Sequence, residues 1–115
     1  MILGNSIIHK HAQSTPLCAI ALHELFEEAG FDRGEFQSVF LDENQVAYLL
    51  KSRYIRGCRF LGSLKTGKLI AGLAGENMKK ATFELGGNDP FIVMRDANVD
   101  KAAEAAYISR LRCNG

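Results

Sequence analysis

Strand-like and helix-like segments alternate along this chain, and that alternation constrains its fold more than any other feature. Ser6-Ile7-Ile8-His9 is a short β-prone run after Gly4-Asn5. Thr15-Pro16 then reads as a helix N-cap followed by a first-turn proline, because proline fixes φ and its missing N–H has no intrahelical partner to lose there. Leu17, Ile20, Ala21, Leu25 and Phe26 recur at helical spacing, and Gly30 supplies the stop. Phe36 to Leu41 is predicted as a second strand and Glu43 to Lys51 as a second helix, carrying Val46, Ala47, Leu49 and Leu50. Cys58 to Leu61 is a third strand, followed at Gly62-Ser63 by a helix with Leu69, Ile70, Leu73 and Ala74 inward. Ala81 to Leu85 and Phe91 to Met94 are a fourth and a fifth strand, and Asn98 caps a last helix bearing Val99, Ala102, Ala103 and Ala106 on one side. The order β-α-β-α-β-α-β-β-α predicts an α/β fold: a mostly parallel sheet, covered by helices on both faces, with right-handed crossovers.

Composition narrows the partners. The 115 residues hold 14 Lys+Arg against 13 Asp+Glu, and a net charge of +1 gives no overall excess for collecting phosphates, so neither nucleic acid nor a membrane surface is expected as a partner. At 47% hydrophobic and 23% charged the chain is of ordinary globular composition. The longest apolar runs, such as Cys18 to Leu22, fall far short of the roughly 20 residues that span a bilayer. Met1 to Ser6 lacks the basic and apolar regions of a signal peptide. Three cysteines without CxxC spacing (Cys18, Cys58, Cys113) fit a reducing cytoplasm better than a disulfide scaffold.

In an open α/β sheet, ligands bind beyond the carboxyl ends of the strands, where helix N-termini offer free N–H groups. Three such ends here are polar or glycine-rich: His9 to Ser14, Leu61 to Gly67, and Glu84 to Asn88. The second imitates a phosphate-binding P-loop through Gly62, Gly67 and Lys68, but Leu69 stands where that loop needs a hydroxyl to hold Mg²⁺. A plain strand-to-helix turn, or a dinucleotide pyrophosphate resting on the helix start with Ser63 as cap and donor, are the readings ahead of it, and a P-loop phosphohydrolase is kept as the third. His9 and His11 share a strand face, yet no third ligand follows at metal spacing, so no metal is expected. Lys10, between them, faces the other way, either solvated or available to a ribose or phosphate oxygen. Glu84 ends an otherwise apolar strand. Burial there would raise its pKa towards the range of a general base, and a structural hydrogen bond to the glycine turn is the other reading. Cys18 in a helix and Cys58 at a strand start read as small core residues, and Cys113 sits three residues from the end.

Four segments together resemble the aldehyde dehydrogenase superfamily, over essentially the entire chain. Gly4 to Pro16 looks like that family's GN-strand-KPA-x-x-TP segment, and Phe60 to Gly67 like its F-T-G-S-x-x-x-G turn. Phe83 to Pro90 is similar to L-E-L-G-G-x-x-P, and Asp96 to Asp100 to the D-A-D-x-D that opens the following helix. The resemblance implies a Rossmann-like fold and oxidation of an aldehyde to a carboxylic acid with NAD or NADP. It implies that Lys10 and Gln13 face the adenosine ribose, that Gly62 and Ser63 lie by the pyrophosphate, that Leu85 sits by the nicotinamide, and that Glu84 is the water-activating base. Residues 1–83 would belong to a dinucleotide-binding domain and residues 84–115 to the start of a catalytic domain.

The departures from the family pattern are informative. His11 stands where proline is common, and Leu61 replaces the usual threonine. Gln13 stands where many NAD-preferring members have glutamate, which removes a repulsion towards a 2′-phosphate and makes NADP tolerable. The sequence ends at Arg112-Cys113-Asn114-Gly115, just before the point where the family's G-Q-x-C motif brings the nucleophilic cysteine. The expectation is therefore a piece of an aldehyde dehydrogenase that is inactive alone and self-associates into a homo-oligomer. A non-catalytic nucleotide-binding or interaction module of the same fold is the alternative.

Overall fold

The computed structural model describes residues 1–87 and 89–112 and contains four strands and four helices in strict alternation. These are β1 (Ile7–Lys10), α1 (Pro16–Glu28), β2 (Phe36–Val39), α2 (Glu43–Lys51), β3 (Gly57–Leu61), α3 (Leu64–Glu76), β4 (Lys80–Glu84) and α4 (Val99–Leu111). Both strand pairings are parallel, as expected for strands joined through helices. The register sets Ile7 beside Phe36 and Lys10 beside Val39 in one pair, and Gly57 beside Lys80 and Leu61 beside Glu84 in the other.

Local chemistry explains where the helices begin and end. Pro16 occupies the first turn of α1, although the Thr15 hydroxyl donates to Ala12 O (3.2 Å) instead of capping the helix. At the far end, Gly30 takes φ +86°, which an L side chain resists. This lets Gly30 N donate to Glu27 O and Phe31 N to Phe26 O (3.0 and 3.1 Å). That pair of bonds is a Schellman closure, and the accompanying apolar contact is the Phe26–Phe31 edge-to-face pair at 5.1 Å. Asp42 and Gln45 form a reciprocal capping box on α2. Ser63 and Asn98 cap α3 and α4 through Thr66 N and Lys101 N.

Packing falls into two groups. In the first, α1 lies on β2, where Phe36 is buried and stacks on Phe26 at 4.2 Å. In the second, α3 lies on β3 and β4 and also meets α2. Lys79 anchors this group by donating to Ser52 O (2.7 Å) and Ile55 O (2.6 Å), carbonyls just past the end of α2. Among the described residues only Ala19, Phe36, Leu50 and Ala74 form a buried apolar core, one pair in each group. The radius of gyration, 19.2 Å, exceeds the roughly 13 Å of a compact chain this long.

Several sequence expectations need correction. The parallel sheet is present as two two-stranded pieces, with no ladder joining β2 to β3. Phe91 to Met94 is not a strand: all four residues are exposed, and no neighbouring strand takes up their N–H and C=O groups. Leu69 and Val99, expected inward, are exposed because no layer covers those faces of α3 and α4; Ala102 and Ala106 are half-buried, and Ala103 is exposed. Cys18 lies on the open side of α1 and not in the core. Cys113 lies outside the described residues.

Candidate functional site

The parallel register places the carboxyl ends of β1 and β2 side by side. Beyond them Lys10, His11, Gln13, Pro16, Phe40, Leu41 and Asp42 line an open cleft of about 330 Å³. Two of the sequence-derived site residues, Lys10 and Gln13, therefore share one surface. Lys10 Nζ donates to His11 O (2.7 Å), which holds its ammonium at the cleft. The His11 ring meets Phe40 edge-on at 4.5 Å, and its Nδ1 lies against Ala12 O. Asp42 brings a carboxylate whose oxygen accepts from Gln45 N (2.8 Å). His9 is engaged elsewhere, bonded to Ser38 Oγ (3.1 Å) across the ladder and stacked on Phe36. No group of three or more His, Cys, Asp or Glu gathers as a metal cluster among the described residues.

The remaining site residues meet at the carboxyl ends of β3 and β4. Gly62 N donates to Glu84 O (3.0 Å), which joins the two strand ends and leaves that N–H unavailable to a ligand. Ser63 Oγ caps α3, accepting from Thr66 N and donating to Thr66 Oγ1. As the first two residues of α3, Leu64 and Lys65 have N–H groups with no intrahelical acceptor. Leu85 lies over the same helix. A Cβ on Gly67 would come within 2.5 Å of Leu85 Cδ2, so the missing side chain at 67 admits this leucine. The cleft of Lys10 and Gln13 contains none of Gly62, Ser63, Glu84 or Leu85.

Glu84 differs from its expectation. Its side chain is 59% exposed and pairs with Arg59 Nη2 at 3.2 Å, so neither burial nor a glycine-turn hydrogen bond defines it. Arg59 lies diagonal to Glu84 because Leu61 is its direct partner and side chains two apart share a face. Sequence reading did not single out Arg59, Phe40 or Asp42. Asp42 had a local signal in Asp-x-x-Gln ahead of an apolar run, whereas Arg59 depends on strand register. Burial of Cys58 pushes its thiol above the ordinary 9.0.

Parallel strand–helix units with polar groups gathered beyond the strands' carboxyl ends define an open α/β protein of the ligand-binding kind. The chain belongs to the aldehyde dehydrogenase family: the model described as "Aldehyde dehydrogenase family" matches residues 1–115. It is 41% identical over 115 residues to an aldehyde dehydrogenase of Paenarthrobacter nicotinovorans, covering all of this chain and 25% of that one. It is 37% identical, again over its whole length, to a probable NADP(+) succinate-semialdehyde dehydrogenase of Synechocystis, of which it covers 25%. The structure resembles that of succinic semialdehyde dehydrogenase from Streptococcus pyogenes in complex with NADP+, with TM-score 0.85 and 39% identity over 96% of this chain and 24% of that one. The chain thus spans about a quarter of the length of the relatives it matches. Agreement over nearly the whole chain means that the two packing groups sit as the corresponding parts of that enzyme do.

Proposed function

We propose that this chain carries the adenosine-diphosphate half of an NAD(P) site and the water-activating carboxylate of an aldehyde-oxidising enzyme. The observation that carries the reading is the convergence of Lys10 and Gln13 on one cleft at the carboxyl ends of β1 and β2. The residues suit the cofactor. An ammonium and an amide offer donors to ribose hydroxyls, and the open N–H groups of Leu64 and Lys65 with the positive end of α3 suit a pyrophosphate. When bound, NAD or NADP would supply the hydride acceptor for oxidation of the aldehyde carbon. Leu85, lying over the first turns of α3, offers an apolar surface beside that acceptor. Glu84, exposed beside Arg59, would take a proton from the water that attacks the oxidised substrate carbon.

Gln13 carries no charge to oppose a 2′-phosphate, so NADP is accepted as well as NAD, in keeping with the NADP(+) named for several relatives. Residues 1–83 serve the cofactor half, and 84–115 begin the catalytic half. Neither Cys18, out on α1, nor Cys58, whose thiol burial pushes up from its ordinary value, serves as nucleophile in this reading. Both are free thiols, which supports a cytoplasmic setting. Exposed Ile8, Leu17, Leu25, Leu69, Val99 and Tyr107 support association with further protein, including copies of this chain.

Calorimetric titration with NADP tests the reading. The expected dissociation constant is on the order of millimolar, about −4 kcal/mol, because half a site shares its ordering costs with few contacts. Lys10→Ala is expected to weaken binding severalfold, and an unchanged affinity would remove Lys10 from the site.

A further inference from the structure

The near-zero net charge conceals a segregation. Between Glu43 and Glu76 lie six of the chain's 14 cationic residues and none of its 13 acids, so the rest of the chain is net negative. Four of the six (Lys51, Arg53, Arg56 and Arg59) fall within nine residues running from the end of α2 into β3. Ser52 to Ile55 is a turn closed by Ile55 N donating to Ser52 O (3.2 Å), with Arg53 and Tyr54 at its tip. Lys79 grips the carbonyls on both sides of that tip, Ser52 O and Ile55 O, and so fixes the turn to the foot of β4. Arg53 is ordered over Tyr54: its guanidinium carbon lies 5.0 Å from the ring centroid, and Nη2 donates to the phenol oxygen at 3.0 Å. Arg53, Tyr54 and Arg56 line an open cleft of about 320 Å³. Lys80 pairs with Gly57 in the ladder, directly after Arg56. No carboxylate of the described residues lies within 4.0 Å of any of these cations except that of Glu84, which pairs with Arg59.

We propose that Arg53, Tyr54 and Arg56 form a binding site for a multiply charged phosphate chain, distinct from the proposed dinucleotide site. Guanidinium forks match phosphate oxygens in pairs: that of Arg53, held over Tyr54 on the pinned turn, is already placed, and Arg56 follows directly after the turn on the same cleft. Tyr54 adds a hydroxyl donor and holds one fork in place. The cleft lies at the amino end of β3, whereas Ser63 follows its carboxyl end. The five residues of β3 separate Arg56 from Gly62, six steps of extended chain or roughly 20 Å. Free polyphosphate and the triphosphate of a nucleotide present the same chemistry, and the test separates them.

The test is a titration of the ¹⁵N-labelled full chain with sodium tripolyphosphate in one arm and ATP without metal in the other, followed at backbone amides and arginine Nε. The expected result is shifts at Arg53 to Arg56 with tripolyphosphate, weakening as salt rises, and an affinity about tenfold lower in R53Q/R56Q. Equal shifts with ATP mark a nucleotide triphosphate as an acceptable source, and shifts with tripolyphosphate alone mark free polyphosphate. Both side chains are exposed, so the variant's amide spectrum is expected to stay dispersed. The proposal is overturned if the double glutamine variant binds as tightly as the parent, or if shifts are confined to Ser63 to Lys65. Full affinity in R53K/R56K would also overturn it, by reducing the effect to attraction between bare charges. A failure of NADP to bind leaves these readouts unaffected.

Discussion

Phe36→Ala is expected to unfold one packing group of this chain and leave the other standing. Phe36 is 8% exposed, pairs with Ile7 across the ladder, and stacks on Phe26 (4.2 Å) and His9 (5.8 Å). Truncating a buried phenylalanine costs about 3–5 kcal/mol in transfer energy and cavity. An entire ordinary domain holds only about 5–15 kcal/mol. Among the described residues of the β1, α1 and β2 group, Ala19 is the one other buried apolar residue, so this loss is comparable to the stability of the group. The core residues of the other group, Leu50 and Ala74, lie on α2 and α3, which pack on each other. Amide hydrogen exchange reads the two groups separately. Protection in Ile7–Lys10 and Pro16–Glu28 should fall by a hundredfold or more, at about tenfold per 1.4 kcal/mol. Protection in Gly57–Leu61 and Lys80–Glu84 should change by about twofold or less. A parallel collapse of both groups would refute the division.

In the proposed site, Gln13→Glu would set a carboxylate against a 2′-phosphate. At about 5 Å in water each unit charge pair costs about 0.8 kcal/mol, so a phosphate of charge near −2 is opposed by about 1.5 kcal/mol, roughly tenfold. The ratio of 2′,5′-ADP to 5′-ADP affinity, measured at low salt, should fall accordingly. Asp42→Asn keeps the α2 cap, since asparagine caps as well as aspartate, and removes a charge from the same cleft; that ratio should rise severalfold. Iodoacetamide at pH 8 should modify exposed Cys18 well before Cys58, as peptide mass spectrometry would show. Because the folded Cys58 thiol titrates above 9.0, its neutral form favours the folded state, and that stabilisation is lost as pH rises through the folded value, so thermal unfolding should become easier at high pH. With a panel of aldehydes and NAD(P), the chain alone should produce no NAD(P)H; turnover abolished by Cys113→Ser would overturn this expectation.

The element order was legible because its signals are local. Proline at a first turn, glycine after Glu28 and Ala29, and Ser63 or Asn98 ahead of an apolar run act within a few residues of themselves. Family membership was legible for the same reason, carried by short motifs such as Gly62-Ser63 and Glu84-Leu85-Gly86-Gly87. What failed depends on partners distant in sequence. Phe91 to Met94 has the composition of a strand but no neighbour to pair with, and Leu69 and Val99 have the spacing of core residues but nothing packed over them. Glu84 was expected to be buried because its strand is apolar. Its side chain is instead in solvent and paired with Arg59, two residues before its ladder partner, and such an exposed pair contributes at most about 1 kcal/mol. The cleft needed Phe40, Leu41 and Asp42 from the end of β2, and only the parallel register brings them to Lys10 and Gln13.

In the proposed site the Lys10–Gln13 cleft and the start of α3 serve one dinucleotide. The most direct measurement is a two-dimensional amide titration of the labelled chain with NADP, NAD, and ATP with Mg²⁺. NADP and NAD are expected to move amides of both clusters, Lys10 to Gln13 and Ser63 to Lys65, along a single binding curve. Shifts that appear only with ATP and Mg²⁺, or that saturate independently at the two clusters, would contradict it.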